Sequence, residues 1–351
     1  PVLAVDIPSG INADTGVAAA GAVEADVTIS FGWARAGHIF APECGAVVLC
    51  DLLLPGAPRS FAEELSATAK PVGHIANEPT IPLPYQWPSE PVLTGEQGVV
   101  TAPKPVGCPG PILDPTPGAK STKYTGGVTA VCAGSSAFPG AGILAATGAV
   151  RATPSMVRVV GNDSVTTSLP EVVPHASAQE KVHAQAWVIG PGRGTDPEAA
   201  AELRAVLKRG LPTIIDADAL TVLSTYGDLR ELVRDHPCAV LTPHAGEFER
   251  LYKATLGREL DLSEGLEIRL QELASALDCF VLHKGRITTV TGPGQDIYGM
   301  NAGHSYAATA GSGDVLSGIL GATLAQLDIV EVSAETIIME ILHAAAIHQH
   351  A

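Results

Sequence analysis

The segment Thr309-Ala310-Gly311-Ser312-Gly313-Asp314 stands directly ahead of the apolar-periodic run Val315 to Gly321. Glycines just before a helix leave backbone amides free at the positive end of the helix dipole, where anionic oxygen collects. The aspartate has two readings there: a helix cap, or a proton acceptor beside a phosphoryl group held by those amides. A second glycine loop, Val188-Ile189-Gly190-Pro191-Gly192-Arg193-Gly194, follows a strand-like run and precedes a helix that starts near Pro197. Its glycines let a ligand approach the backbone closely. Their GxGxG spacing matches the dinucleotide-binding fingerprint only loosely.

Between these loops, two apolar runs end in polar residues: Thr213 to Ile215 before Asp216-Ala217-Asp218, and Val240-Leu241 before Thr242-Pro243-His244-Ala245-Gly246-Glu247. Ligands of open α/β sheets gather at the carboxyl ends of strands. Asp216 and Asp218 can hold a water or a magnesium ion, or simply make a turn. His244 is either a satisfied surface histidine or a ligand contact, and Glu247 favours the first turn of its helix in either case. Lys284-Gly285-Arg286-Ile287-Thr288 puts a cation and a hydroxyl at a further strand end, suited to a phosphate or to a plain hairpin turn. His343, His348 and His350 are spaced by five and two, which does not bring all three to one helix face, so no metal site is read there.

The elements that must position these residues follow a regular alternation after Lys123. Strands are expected at Val128–Ala133, Val157–Val160, Ala186–Ile189, Thr213–Asp216, Ala239–Thr242, Phe280–His283 and Thr288–Thr291. Helices are expected at Gly142–Arg151, Pro197–Arg209, Asp228–Asp235, Ala245–Tyr252, Glu264–Leu277, Gly311–Leu324 and Ser333–Gln349. Such βα repetition gives a mostly parallel sheet with helices on both faces. Before it, Val2–Val5, Val27–Phe31 and Ala46–Leu49 read as strands of a smaller unit. A proline-rich stretch between about 71 and 121 reads as the closing strand of that unit and a linker.

The 351 residues amount to two domains' worth of chain, 46% hydrophobic and 17% charged, with a formal net charge of −16. That charge, with no Lys/Arg-rich run to interrupt it, excludes nucleic acid and anionic membrane surfaces as expected partners. No basic leader or continuous apolar span is visible, and six scattered cysteines without a CxxC pair read as free thiols in a reducing cytoplasm. Pro1 to Val5 reads as a buried strand with nothing ahead of it to pair with, so the chain is expected to be cut from something longer.

Five motifs, taken in order, resemble the ADP-dependent NAD(P)H-hydrate dehydratases, whose domain has the ribokinase-like fold. They are Lys123-Tyr124-Thr125-Gly126-Gly127-Val128, Phe138-Pro139-Gly140-Ala141, the Val188 to Gly194 loop, Thr242 to Phe248, and Ala310 to Asp314. Val5-Asp6-Ile7-Pro8-Ser9-Gly10 with Asp14-Thr15-Gly16 is similar to the later half of the NAD(P)HX epimerase domain, which many bacteria fuse in front of this dehydratase. The resemblance implies a three-layer ribokinase-like α/β domain over 92–351, preceded over 1–85 by the remnant of a Rossmann-like α/β epimerase domain that is incomplete and inactive by itself. It implies metabolite repair, in which the terminal phosphate of ADP, or of ATP, passes to the hydroxyl of hydrated NADH or NADPH, and elimination restores the reduced nicotinamide.

Carried over by motif, Asp314 is the catalytic carboxylate at the hydrate hydroxyl and Gly313 holds the transferring phosphate. Ala141, Gly194 and His244 line the hydrate pocket, and Lys284, Gly285, Arg286, Ile287 and Thr288 bind the nucleotide. In the epimerase remnant Asp6 sits on substrate and Ser9 near a potassium ion. Magnesium and a homo-oligomeric assembly are also implied, with Ile337 to Ala346 readable as an interface helix or as core. Two departures stand out: Arg151-Ala152-Thr153-Pro154-Ser155 replaces a glycine-containing turn, and His283 replaces an apolar residue before the lysine. The rival readings are a small-molecule kinase of the ribokinase superfamily and a catalytically idle nucleotide sensor. A conventional NAD dehydrogenase is set aside because no acidic residue is placed for a ribose.

Overall fold

Thr129-Ala130-Val131-Cys132, Ala186-Trp187-Val188-Ile189 and Thr213-Ile214-Ile215 are buried at every position, so strands built from them need cover on both faces. The computed structural model supplies it. It describes residues 1–52, 58–68, 73–76, 94–95, 98–99, 116–153, 155–263, 265–301 and 306–350. Cys108, Pro154, the position Glu264 expected to start a helix, and the prolines from Pro79 to Pro115, with both expected domain limits, lie outside the described residues.

The N-terminal unit is a parallel sheet of β1 (Leu3–Val5), β2 (Val27–Phe31) and β3 (Ala46–Cys50), with α1 (Ala36–Phe40) between the last two and α2 (Phe61–Thr68) after them. Next come β4 (Gly73–Ala76) and the paired two-residue strands β5 (Thr94–Gly95) and β6 (Gly98–Val99). The larger unit runs β7 (Thr129–Cys132), α3 (Pro139–Ala152), β8 (Val157–Val160), α4 (Ser164–Ser168), β9 (Val173–His175), β10 (Ala186–Ile189), α5 (Pro197–Leu207), β11 (Thr213–Ile215), α6 (Asp218–Thr225) and α7 (Gly227–Arg234). It continues with β12 (Ala239–Leu241), α8 (Ala245–Leu256), α9 (Leu266–Leu277), β13 (Phe280–His283), β14 (Ile287–Thr291), β15 (Ile297–Asn301), α10 (Ser312–Leu324) and α11 (Ala334–His350).

The large sheet has ten strands in the order β4-β15-β14-β13-β12-β11-β10-β7-β8-β9. Within it β14 alone runs against the others, because it pairs antiparallel with both β13 and β15. Alternate side chains of each strand face opposite layers. Val131, Val188, Ile214 and Leu282 pack with α3, α10 and α11, while Cys132, Trp187, Ile215 and Val281 pack with α5 to α9. This is the expected three-layer, mostly parallel architecture. Because β7, β10, β11, β12 and β13 are mutually parallel, their carboxyl ends, and the polar residues that follow, share one edge of the sheet.

Several features differ from the sequence reading. β4, read as the closing strand of the first unit, instead pairs in parallel with β15 and caps an otherwise open edge of the large sheet. Ile337 to Ala346 of α11 is core, not a free interface: Ile338, Ile341, Leu342 and Ala344 are fully or almost fully buried. α4, β9, α6 and β15 are short elements that the pattern did not reveal. No described helix is long and apolar enough to cross a membrane, and the five described cysteines are free thiols.

α10 lies across α3 at backbone distance. A Cβ on Gly318 would come within 1.9 Å of the Ala145 carbonyl, and one on Gly148 within 2.3 Å of the Val315 carbonyl. Gly318→Ala gains about 1 kcal/mol of helix propensity, but it must push two backbones apart, an overpacking cost of roughly 1–3 kcal/mol or more. We expect net destabilisation of about 2 kcal/mol, seen as a fall of about 4–8 °C in the thermal midpoint. An equal or higher midpoint would show that the two helices are not held at that distance.

Candidate functional site

The centre of the shared edge is Asp216, the residue after β11, which is 1% exposed. Its Oδ1 accepts from Lys284 Nζ at 2.6 Å and its Oδ2 from Ser317 Oγ at 2.6 Å. Lys284 follows β13 and Ser317 lies one turn into α10, so one carboxylate joins two strand ends to the helix that carries Asp314. Lys284 also reaches Glu247 Oε2 at 3.9 Å, and its backbone amide donates to Pro243 O at 2.9 Å, tying it to the β12 end. A Cβ on Gly313 would stand 3.4 Å from Lys284 Nζ, so the lysine lies directly beside the opening turn of α10.

That opening turn is built by glycine. Gly311 caps α10 with φ of +84°, and a Cβ there would strike Leu144 of α3 at 2.4 Å. Asp314 then sits half-buried in the first turn, where burial, then the negative charge of Asp216, push its carboxyl up from 3.8 to about 6, against the pull of Lys284. The arrangement offers a base that ionises near neutrality, a fixed cation and a helix N-terminus in one place.

The glycine loop after β10 forms an adjoining wall. Gly190, at φ of +125°, lies so close to Asp216 that a Cβ would meet its carbonyl at 1.9 Å. Gly192 faces Ala141, the two Cβ positions being 2.8 Å apart, and the Gly194 amide donates to Asp218 Oδ2 at 2.8 Å. Ala217, between the two aspartates, has φ of +50°, a strained conformation for a residue with a side chain. That twist sends Asp216 toward Lys284 and Asp218 toward the loop. The pair therefore serves two separate hydrogen-bonding tasks.

His244 is the N-cap of α8. Its Nδ1 accepts from the Gly246 amide at 3.1 Å, while Glu247 Oε2 accepts from the His244 amide at 2.9 Å. Its ring nevertheless stays exposed beside the Lys284 strand end.

The family model described as NAD(P)H-hydrate dehydratase matches residues 129–351, and the model of the YjeF-related protein N-terminus matches residues 1–37. The chain belongs to the NAD(P)H-hydrate dehydratase family. It is 41% identical to the bifunctional NAD(P)H-hydrate repair enzyme Nnr of Mycobacterium tuberculosis, over 93% of this chain and 59% of that protein. It is 34% identical to the ADP-dependent (S)-NAD(P)H-hydrate dehydratase of Neisseria meningitidis, over 59% of this chain and 72% of that one. Among solved structures it resembles the ADP/ATP-dependent NAD(P)H-hydrate dehydratase of Bacillus subtilis co-crystallized with ATP/Mg2+, at 25% identity and a TM-score of 0.54, covering 67% of this chain and 83% of that one. The chain spans about three fifths of the length of the bifunctional relatives it matches.

Within the dehydratase-family domain, the expected site residues Ala141, Gly194, His244, Lys284, Gly313 and Asp314 all stand at the shared edge. Gly285 and Arg286 form the exposed tip of the β13–β14 hairpin, but Ile287 and Thr288 are buried in β14, where the Thr288 hydroxyl is held by Gln349 of α11 at 2.9 Å. His283 does not join Lys284: its ring packs edge-on against Phe248 at 5.6 Å, and burial lowers its pKa to about 4. In the N-terminal unit, Asp6 has φ of +67° and an exposed side chain, with its carbonyl held by the His38 ring, and Ser9 is exposed. His348, set aside above as a metal ligand, instead meets Ser312 Oγ through Nε2 at 2.9 Å, and Ser317 joins the site as a further partner of Asp216. The one sequence signal for Ser317 is its three-residue spacing from Asp314, which puts both on one helix face.

Because the folded protein raises the Asp314 pKa, the native state binds more protons than the unfolded chain between about pH 4 and 6. Stability contributed by this group is full below that window and is lost as pH rises through it. Asp314→Asn should therefore be more stable than the parent above pH 6, with the difference closing toward pH 4. Urea midpoints at several pH values measure this, and a difference independent of pH would contradict the placement of Asp314.

Proposed function

We propose that this chain dehydrates hydrated NADH and NADPH with an adenine nucleotide as phosphate donor. The observation that carries the reading is the half-buried Asp314, with its raised pKa, beside Lys284 and the glycine-built start of α10. In the reaction, the Asp314 carboxylate accepts the proton of the hydrate hydroxyl, and that oxygen forms a bond to the terminal phosphorus. The bond from that phosphorus to the nucleotide's bridging oxygen breaks, and the shortened nucleotide leaves. Amides at Gly313 and the Lys284 ammonium stabilise charge on the phosphoryl oxygens. Phosphate then leaves with its carbon–oxygen bond, and loss of a ring proton restores the reduced nicotinamide.

Ala141, Gly194 and His244 form the hydrate side, Lys284, Gly285 and Arg286 the nucleotide side, with Ile287 and Thr288 supporting the hairpin from β14. No group of three or more His, Cys, Asp or Glu side chains fit to hold a metal occurs among the described residues. A magnesium ion would be held by the phosphates of the bound nucleotide and would neutralise their charge. For the longer proteins of this type we assign substrate contact to Asp6 and potassium contact to Ser9 in the epimerase unit, and assembly as a homo-oligomer.

The test mixes the protein with chemically prepared NADHX, magnesium, and ADP or ATP in parallel, and follows the return of reduced-nicotinamide absorbance. Recovery of one epimer's share identifies the dehydratase and its donor. Recovery with neither nucleotide, alongside turnover of a small alcohol, would replace this reading with a kinase. Asp314→Ala should lower turnover about 10²–10⁴-fold and leave nucleotide affinity within a few fold, and parent kcat/KM should rise with pH through about 6. Near-native turnover by the variant would refute the assignment. His244→Ala should weaken hydrate binding more than nucleotide binding while costing about 1 kcal/mol of cap stability. Equal weakening of both ligands would remove His244 from the hydrate side.

A further inference from the structure

Arg193 is the one long charged side chain in the Gly190 to Gly194 loop, and it turns inward, 14% exposed. Its Nη1 donates to the carbonyls of Gly134, past the end of β7, at 2.8 Å and of Gly161, past the end of β8, at 3.0 Å. Its Nε donates to Glu202 Oε2 of α5 at 3.0 Å, and its Nη2 pairs with Glu202 Oε1. Glu202 Oε2 also accepts from Cys132 Sγ at 3.8 Å, and burial keeps that thiol protonated by pushing it up to about 12. Gly134 and Gly161 both have positive φ, of +75° and +70°, which turns their carbonyls to the guanidinium. A Cβ on Gly161 would lie 2.9 Å from Nη2.

The bracket continues into the pocket wall. Gly134 donates its amide to Pro191 O at 2.6 Å, and Asn162, next to Gly161, donates to Ala133 O at 3.3 Å and Pro139 O at 3.5 Å. Pro139 opens α3, whose Ala141 faces Gly192. One planar fork thus fixes three loops at the ends of β7, β8 and β10. The Lys284 hairpin lies three strands away from β10, roughly 14 Å at about 4.8 Å per strand.

We propose that Arg193 is a positioning residue for the hydrate side of the site and not for the nucleotide side. The proposal rests on the assignment of Ala141 and Gly194 to the hydrate pocket. Lysine cannot replace the arginine, because a point charge does not serve two carbonyls and both oxygens of one carboxylate at once.

The experiment compares Arg193→Met, Arg193→Lys and the double variant Arg193→Met with Glu202→Gln, which leaves no unpaired buried charge. Thermal midpoint, hydrate KM and kcat, ADP and ATP affinity by calorimetry, and amide exchange over 133–142 and 189–196 are read for each. Arg193→Met should raise hydrate KM about 10-fold or more, change kcat by less than about 3-fold and nucleotide Kd by less than about 2-fold, and speed exchange in both segments. Arg193→Lys should fall between Arg193→Met and the parent. The double variant should regain the thermal midpoint but not the KM. Recovery of both together would overturn the proposal, because the ion pair would then be a packing element alone, as would a nucleotide Kd that rises in parallel with KM. If the parent protein fails to turn over the hydrate, the assigned function falls, and unchanged exchange in Arg193→Met would by itself overturn the positioning role.

Discussion

A carboxylate as buried as Asp216 is sustainable only when its charge and its lone pairs are matched. Lys284 and Ser317 do this, and in doing so they fix where β11, β13 and α10 must meet. The close approach of Gly190 and the strained Ala217 follow from placing that carboxylate at the strand end. The raised pKa of Asp314 comes first from its own burial and then from this second negative charge, which makes its ionisation harder still. Lys284 is thus held at the mouth of α10 by a buried partner. Any anion that binds there meets a cation already oriented.

The sequence made some of this site plain and hid the rest for physical reasons. Gly311 to Asp314 and Gly190 to Gly194 were legible because the need for positive φ and for free amides is local. His244 to Glu247 was legible as a strand end followed by a helix start, and the structure shows the histidine itself doing the capping. Asp216 was visible as a polar residue after a strand, but its partners are 68 and 101 residues away, and no local pattern reports such a pairing. α6 was missed because its start is set by the backbone of Ala217, a residue type that carries no turn signal. α11 remained open between core and interface because an apolar helix reads the same in both settings. The inward turn of Arg193 has no local signal, because the carbonyls of Gly134 and Gly161 that surround it lie 59 and 32 residues away along the chain.

The placement of β4 has a consequence for how this protein is put together. A strand from ahead of residue 77 completes the outer edge of the sheet by pairing with β15, and the chain next enters that sheet seven positions away, at β7. Sequence order and spatial order are therefore interleaved, and the boundary of the matched family at residue 129 is not a boundary of the sheet. A chain begun at that residue would leave the hydrogen-bonding edge of β15 open to other strands, the usual starting point for intermolecular association. Closure of the sheet also waits on a contact more than 200 residues distant along the chain, the kind of nonlocal pairing that slows folding. β4 thus acts as a selvage, the woven border without which the cloth frays.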